Sequence, residues 1–425
     1  MNGNVTVNIL VKRVFNVDET TKANGPWRRN LHILWFCSFI VGMAFSEIMP
    51  FLSLYVSGMG DFTKAQVTMY SGLVYAADFF VGAIAAPLWG MLADRTGRKV
   101  MLLRTSLGIA VAMGLMGLAT NVWQLVALRS LQGVFAGYIP NAQALIASQA
   151  PQEHSGAALS TLMTGGTSGN LLGPVMGGVL AQIFSIRVTF FVTATLLLIT
   201  FFLSLFCVRE QFVPVTKSTA TANDHNPLKV LTSSRLIFIL LSSTMIVQFG
   251  NTSISPIISL YVKELMHNVG PITVVAGILA ALPGISNIFA APRLGRYGDR
   301  HGSGKVLIFG YIFAAIVYLP QGLVTGVWML GILRFLVGFA DGALFPEIQT
   351  LLTKNTPNDL TSTVFSWNQS FQSIGNMLGA LIGGWIAGIF DYNAVFFSTA
   401  ALMLLNLALI WWGAPQIRRT PAVKN

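Results

Sequence analysis

The chain has 425 residues, 54% of them hydrophobic and only 10% charged, with a mean hydropathy of +0.66. A soluble domain is about 25% charged, so water is excluded as the main solvent and a bilayer takes its place. The net charge of +11 would point to nucleic acid in a soluble protein. Here the Lys and Arg lie in short segments beside long apolar runs, where topology and anionic lipid account for them.

Residues 1–30 form a polar, basic tail, expected in the cytoplasm. The run from Leu31 to about Val56 is too long for a signal-peptide core and lacks a small-residue cleavage pattern. It reads as a first span kept in the mature protein. Further spans are expected at about 67–91, 100–119, 122–147, 158–184 and 188–208, which makes 31–208 a six-helix half. A polar segment, 209–235, reads as a cytoplasmic linker. A second six-helix half, 236–413, follows with spans at about 236–262, 272–294, 306–325, 328–352, 360–388 and 393–413, then a cytoplasmic tail, 414–425. Twelve spans of ~22 residues use roughly 260, leaving no room for a sizeable soluble domain.

Charge orients the bundle. With the N-terminus inside, only Lys64, Arg187 and Lys263 fall on the outer side, and Arg129 and Arg334 fall within spans. All other Lys and Arg are inside, so the positive-inside rule places both termini in the cytoplasm of a plasma-membrane protein.

The chain is also built twice. GMLADRTGRKV, from Gly90, returns as GRYGDRHGSGKV from Gly295, and Asp94 and Arg95 return as Asp299 and Arg300. At the same separation Pro87 matches Pro292, Arg129 matches Arg334 and Gly133 matches Gly338; one residue further, Tyr55 matches Tyr261 and Gly169–Gly173 matches Gly375–Gly379. The fold expected is an all-α membrane protein of twelve helices in two parallel-repeat halves, the usual plan of a secondary transporter.

Polar residues inside the spans are the candidates for function. Glu47 and Asp78 lie ~10 residues from the outer ends of spans one and two, at a similar depth of roughly 15 Å. A carboxylate there costs several kcal/mol unless it pairs, faces the interior or is protonated. Both are therefore candidate proton carriers, with permanent structural pairing as the alternative. Arg129 is a fixed charge able to bias a nearby acid. Asp341, two turns beyond Arg334, is a further proton-coupling candidate. Asn368, Gln372 and Asn376 share one face of span eleven near Phe371, which suits an amphipathic cavity but equally suits helix–helix hydrogen bonding. Gly165, Gly169, Gly173 and Gly177 recur every fourth residue, followed by Pro174 and Gly178; close helix packing is the minimum reading, and a bendable helix between the halves the functional one. Cys37 and Cys207 lie in apolar spans and the histidines lack metal spacing, so no disulfide, metal or cofactor is expected. No phosphate-binding loop or nucleophile–base pair is present, so neither ATP-driven transport nor an enzyme is indicated.

Gly90, Asp94, Arg95, Gly97, Arg98 and Lys99 together resemble the gating loop of the major facilitator superfamily. Arg129, Gln132 and Gly133 are similar to its fourth-helix motif, and the Gly165–Gly178 run to the fifth-helix motif of its drug:proton antiporters. From about Pro26 to Ile417 the chain resembles the MdtG-type multidrug exporters. The second half departs in two places: Lys305 falls one position late in the loop copy, and Ala380 replaces the proline of the helix copy. The resemblance implies a latch role for the Asp94 loop, a proton-relay role for Arg129, and proton-coupled export of lipophilic or cationic small molecules by the single chain. Uptake or export of one specific metabolite or sugar, or a non-transporting receptor on the same fold, are the alternatives.

Overall fold

The computed structural model describes residues 26–210, 235–356 and 360–418. The expected N-terminal tail up to residue 25, the linker from 211 to 234 and residues 419–425 lie outside the described residues. Among those described, every regular element is a helix, as a chain crossing hydrocarbon requires: a helix satisfies its own backbone polar groups. The first half comprises α1 (Pro26–Glu47), α2 (Leu52–Ser57), α3 (Lys64–Thr96), α4 (Arg98–Leu118), α5 (Val122–Val134), α6 (Tyr138–Gln149), α7 (Gln152–Ile183) and α8 (Ile186–Cys207). The second comprises α9 (Arg235–Ile254), α10 (Ile258–Leu265), α11 (Ile272–His301), α12 (Ser303–Gln321), α13 (Val327–Asn355), α14 (Thr361–Phe390) and α15 (Tyr392–Gly413), with a short α16 (Pro415–Arg418).

Among the described residues, ten segments are long and apolar enough to cross a membrane. The remaining two of the twelve crossings are the α5–α6 pair, which is interrupted, and α7, which is rich in Gly, Ser and Thr. Three crossings are broken. A turn at Met49–Phe51 separates α1 from α2, and residues 255–257 separate α9 from α10. Pro50 and Pro256 stand at these matched points, where a missing N–H interrupts the ladder. The third break, between Val134 and Tyr138, departs from the single span expected over 122–147. Gly137 there has φ +110°, a conformation costly for a residue with a Cβ. Its counterpart helix, α13, runs unbroken.

The repeat is visible in the bonding. Tyr55 donates its hydroxyl to the carbonyls of Met116 and Ala119, and Tyr261 to those of Gln321 and Val324. Buried side chains form two clusters, one drawn chiefly from each half.

Asn30, Gln149 and Arg209 bond to one another and mark the end of the bundle nearest the first helix's start. At the opposite end the halves are closed on each other. Ser53 and Ser259 hydroxyls meet at 2.8 Å, and Lys64 bridges Glu264 at 3.0 Å and Asp391 at 2.6 Å. Gly277 lies against the Pro174 carbonyl and Gly72 against that of Ala380, the same contact in each pseudo-symmetric place. The substitution of alanine for proline is tolerated because the backbone oxygen makes the contact. Toward the Asn30 end α7 and α11 part, leaving a cavity of about 470 Å³ between them.

Candidate functional site

Glycine determines how the site is assembled. A Cβ at Gly133 of α5 would overlap the Asp78 carbonyl of α3, so these two backbones touch directly. That contact carries Arg129, one turn earlier, to the Asp78 carboxylate: Nη2 lies 3.6 Å from Oδ2, and both side chains are almost wholly buried. Arg129 Nη1 also donates to Gln132 Oε1 at 2.9 Å, and its guanidinium lies 6.0 Å from the Tyr75 ring centroid. Removing one member of such a pair strands the other's charge, at a cost of about 3–5 kcal/mol.

Glu47 has a different setting. It ends α1, is 1% exposed, and neither carboxyl oxygen has a well-formed hydrogen bond or a charged partner among the described residues, the Thr193 hydroxyl of α8 being a polar neighbour. What surrounds it is the glycine run of α7. Gly165 packs on Trp35, Gly169 on Phe39, Gly173 on Met43 and Ser46, and Gly177 on Glu47 itself. The four-residue steps match on the two helices, so each glycine admits the next turn of α1. Pro174 and Gly178 face the other way, against Gly277 and Thr273 of α11 in the second half. One helix thus touches Glu47 on one face and the opposite half on the other.

The second half repeats the scaffold with different chemistry. Gly338 packs on Pro283 where Gly133 packs on Asp78, and Gly383 packs on Ser253 where Gly177 packs on Glu47. Arg334 therefore has no equivalent of Asp78; its Nε points at the Leu279 carbonyl at 3.5 Å. Asp341 accepts from Asn251 Nδ2 at 3.1 Å, and the Tyr318 hydroxyl donates to Asn251 Oδ1 at 2.7 Å. No salt bridge joins Arg334 to Asp341 among the described residues.

The Gly90–Lys99 stretch is two helix ends hinged on Gly97, with φ +94° and its counterpart Gly302 at +103°. Gly90 is exposed with open space around it, and Arg95 is exposed. The side chain of Asp94 lies outside the described residues. The acid seen at this hinge is Glu210, after α8, whose two carboxylate oxygens accept the Arg98 and Lys99 backbone N–H groups at 2.8 and 2.7 Å. Lys99 Nζ donates to the Leu205 carbonyl. In the second copy Asp299 and Arg300 are exposed, and the buried Glu347 carboxyl packs on Gly298 instead.

Span eleven is divided between packing and cavity. Asn376 Oδ1 accepts from Thr252 at 2.6 Å, a helix–helix bond, and Phe371 meets the Phe238 ring edge-on. Gln372 is half-buried, while Asn368 is buried with an unpartnered Oδ1. Two cavities are lined by other residues than these. The one between the halves is lined by Thr167, Asn170, Leu171, Gly284 and Asn287 among others. A smaller one, about 150 Å³, is lined by Phe45, Asp78, Gln132, Gly137, Tyr138 and Asn170, so Asn170 belongs to both. Asn170 sits inside the glycine run and Asn287 inside an apolar span; a polar amide in each of those settings was the available signal.

The Major Facilitator Superfamily family model matches residues 34–268 and 240–425. The chain belongs to this superfamily. Its members are membrane transporters rather than enzymes, in keeping with twelve crossings and a cavity between two halves. The chain is similar to Multidrug resistance protein MdtG of Escherichia coli strain SMS-3-5, 47% identical over 399 residues, covering 94% of this chain and 97% of that protein. MdtG of strain K12 / DH10B is 46% identical over the same share. Among solved structures, a bacterial homolog of the human lysosomal transporter Spinster, inward-facing and unoccupied, aligns with TM-score 0.77 at 14% identity, covering 93% and 98% of the two chains. The nucleoside transporter NupG aligns with TM-score 0.73 at 13% identity, covering 91% and 98%. These structural likenesses concern the superfamily fold alone.

Proposed function

We propose that this chain is a proton-coupled exporter of lipophilic or cationic drugs, working as a single chain by alternating access with both termini in the cytoplasm. The names of its relatives support the drug-export reading, and the apolar, amide-bearing cavities suit amphipathic molecules. With the termini inside, the closed end of the bundle is the outer one and the arrangement described is inward-open.

The observation that carries the coupling is Glu47: a buried carboxyl without a charged partner among the described residues, seated on the same helix that contacts the opposite half. In this state it bears its proton, because a carboxylate there would lack any counter-charge. Loss of the proton to the inside strands a charge in the α1–α7 contact and favours a rearrangement of α7, hence of its contact with α11. That releases the outer closure and carries bound drug outward. Reprotonation from outside restores the starting state, so one proton enters as drug leaves. Asp78, held by Arg129, supplies a fixed buried dipole beside the smaller cavity, where Gln132 offers an unpartnered Nε2 to a ligand.

Ethidium efflux from oriented vesicles under an imposed proton gradient tests this. Wild type should export only while the gradient lasts, and Glu47→Gln should lose gradient dependence by about tenfold or more. Asp78→Asn should instead lower the folded yield by stranding Arg129. Efflux by Glu47→Gln that still follows the gradient removes Glu47 as carrier; no gradient-driven efflux in wild type removes the export reading.

A further inference from the structure

The break between α5 and α6 leaves backbone carbonyls without helical partners, and that of Ala136 would lack one even in a continuous helix, because Pro140 has no N–H. Two side chains from outside the helix take them. Trp89 Nε1, near the end of α3, donates to the Val134 carbonyl at 2.7 Å. Arg104 Nη2, in the second turn of α4, donates to the Ala136 carbonyl at 2.9 Å. The two donors are themselves joined, with the guanidinium 3.8 Å from the Trp89 ring centroid. Phe135, the first residue of the break, lays its ring where a Cβ on Gly108 would be.

The second half supplies an internal control. At the matched positions Trp89 is replaced by Leu294, Arg104 by Phe309, Gly108 by Phe313 and Phe135 by Ala340. There α13 runs unbroken from Val327 to Asn355, although Gly342 still matches Gly137. The glycine alone therefore does not break the helix; the break occurs where Pro140 (Phe345 in the second half), the donors and the room for Phe135 coincide.

Position gives the break a use. Trp89 and Arg104 flank the Gly97 hinge on either side, and Arg129 and Gln132 lie on the last turns before the break. We propose that Trp89 and Arg104 are positioning residues: they clamp the α5–α6 break and so fix where Arg129 and Gln132 stand against Asp78, linking the Gly90–Lys99 stretch to the buried ion pair. The titratable and charged groups facing Arg129 are Asp78 and Tyr75 of α3, and the turn after α1 contributes only Met49.

The transport arm of the test rests on the proton-coupled function proposed above; the exchange arm does not. Hydrogen–deuterium exchange of the full chain in nanodiscs would compare wild type, Trp89→Phe, Arg104→Lys and the second-half control Phe309→Leu. Exchange over residues 133–139 should quicken about threefold or more in the first two variants, with residues 327–355 unchanged and Phe309→Leu like wild type. The KM for ethidium should rise about threefold or more in the same two variants, because Gln132 faces the smaller cavity. Unchanged exchange in both folded variants overturns the clamp, and quickened exchange with an unmoved KM overturns the positioning role. Trp89→Phe, which removes one N–H and keeps the ring, carries the test if Arg104→Lys fails to fold. If wild type shows no gradient-driven efflux, the transport reading falls and exchange alone decides the clamp.

Discussion

Gly177 shows how much one hydrogen atom in place of a side chain can decide. A Cβ there would overlap the backbone of Glu47, so Gly177→Ala must push α1 from α7. Such overpacking costs about 1–3 kcal/mol, and a drop in thermal unfolding midpoint with loss of efflux is expected. Gly156 of the same helix has nothing within 4 Å of its Cβ position, and Gly156→Ala should match wild type in both assays. The four-residue glycine spacing was legible in the sequence as close packing. That the packed partner is Glu47 was not, because spacing names a face of one helix and not what meets it. Likewise, equal depth along two spans grouped Glu47 with Asp78, yet helix rotation gave one an arginine and the other none.

At the scale of elements, the hinge between α3 and α4 illustrates capping by a distant acid. Gly97, at φ +94°, ends one helix and starts the next with no side-chain cap of its own. Glu210 supplies it from the end of α8, where an anion is favoured by the exposed amides and the helix dipole. Glu210→Ala should lower stability by about 1 kcal/mol and quicken amide exchange at residues 98–101, while Glu210→Gln, keeping an acceptor oxygen, should be intermediate. The sequence drew attention to an acid within the loop, Asp94; an acid more than a hundred residues away is invisible to local patterning.

For the whole molecule, the balance between closed and open forms of the bundle end opposite Asn30 involves the Lys64 cluster. Lys64 bridges Glu264 and Asp391, and its Nζ lies 4.0 Å from the Tyr392 ring centroid. Partial burial raises the Asp391 carboxyl, but the hydrogen bonds from Lys64 and the Tyr392 N–H, with the Lys64 charge, outweigh it and hold the group below its ordinary value. The bridge's contribution is therefore fully present above the ordinary carboxylate range and is lost only as pH falls through the lowered value. An exposed pair contributes at most about 1 kcal/mol, enough to shift a two-state balance severalfold. Spin-label distances across the Lys64 end of the bundle should lengthen in a larger fraction of Lys64→Ala molecules than of wild type, with no change between pH 6 and 8 in wild type attributable to Asp391.

Sequence alone determined the solvent, the twelve crossings and the duplication. Those rest on hydrophobicity along the chain and on recurrence of the same residues at a fixed separation, both properties of one dimension. It also marked the glycine run, the charged hinge and the buried acids as the residues to explain. Only the tertiary structure decided that Arg129 serves Asp78 and leaves Glu47 without a charged partner among the described residues. It likewise decided that α7 joins Glu47 to the opposite half, and that the fourth crossing is broken in one half but not the other. Each of these depends on which helix faces meet and on side chains reaching across them, and those are settled by packing among all the helices at once.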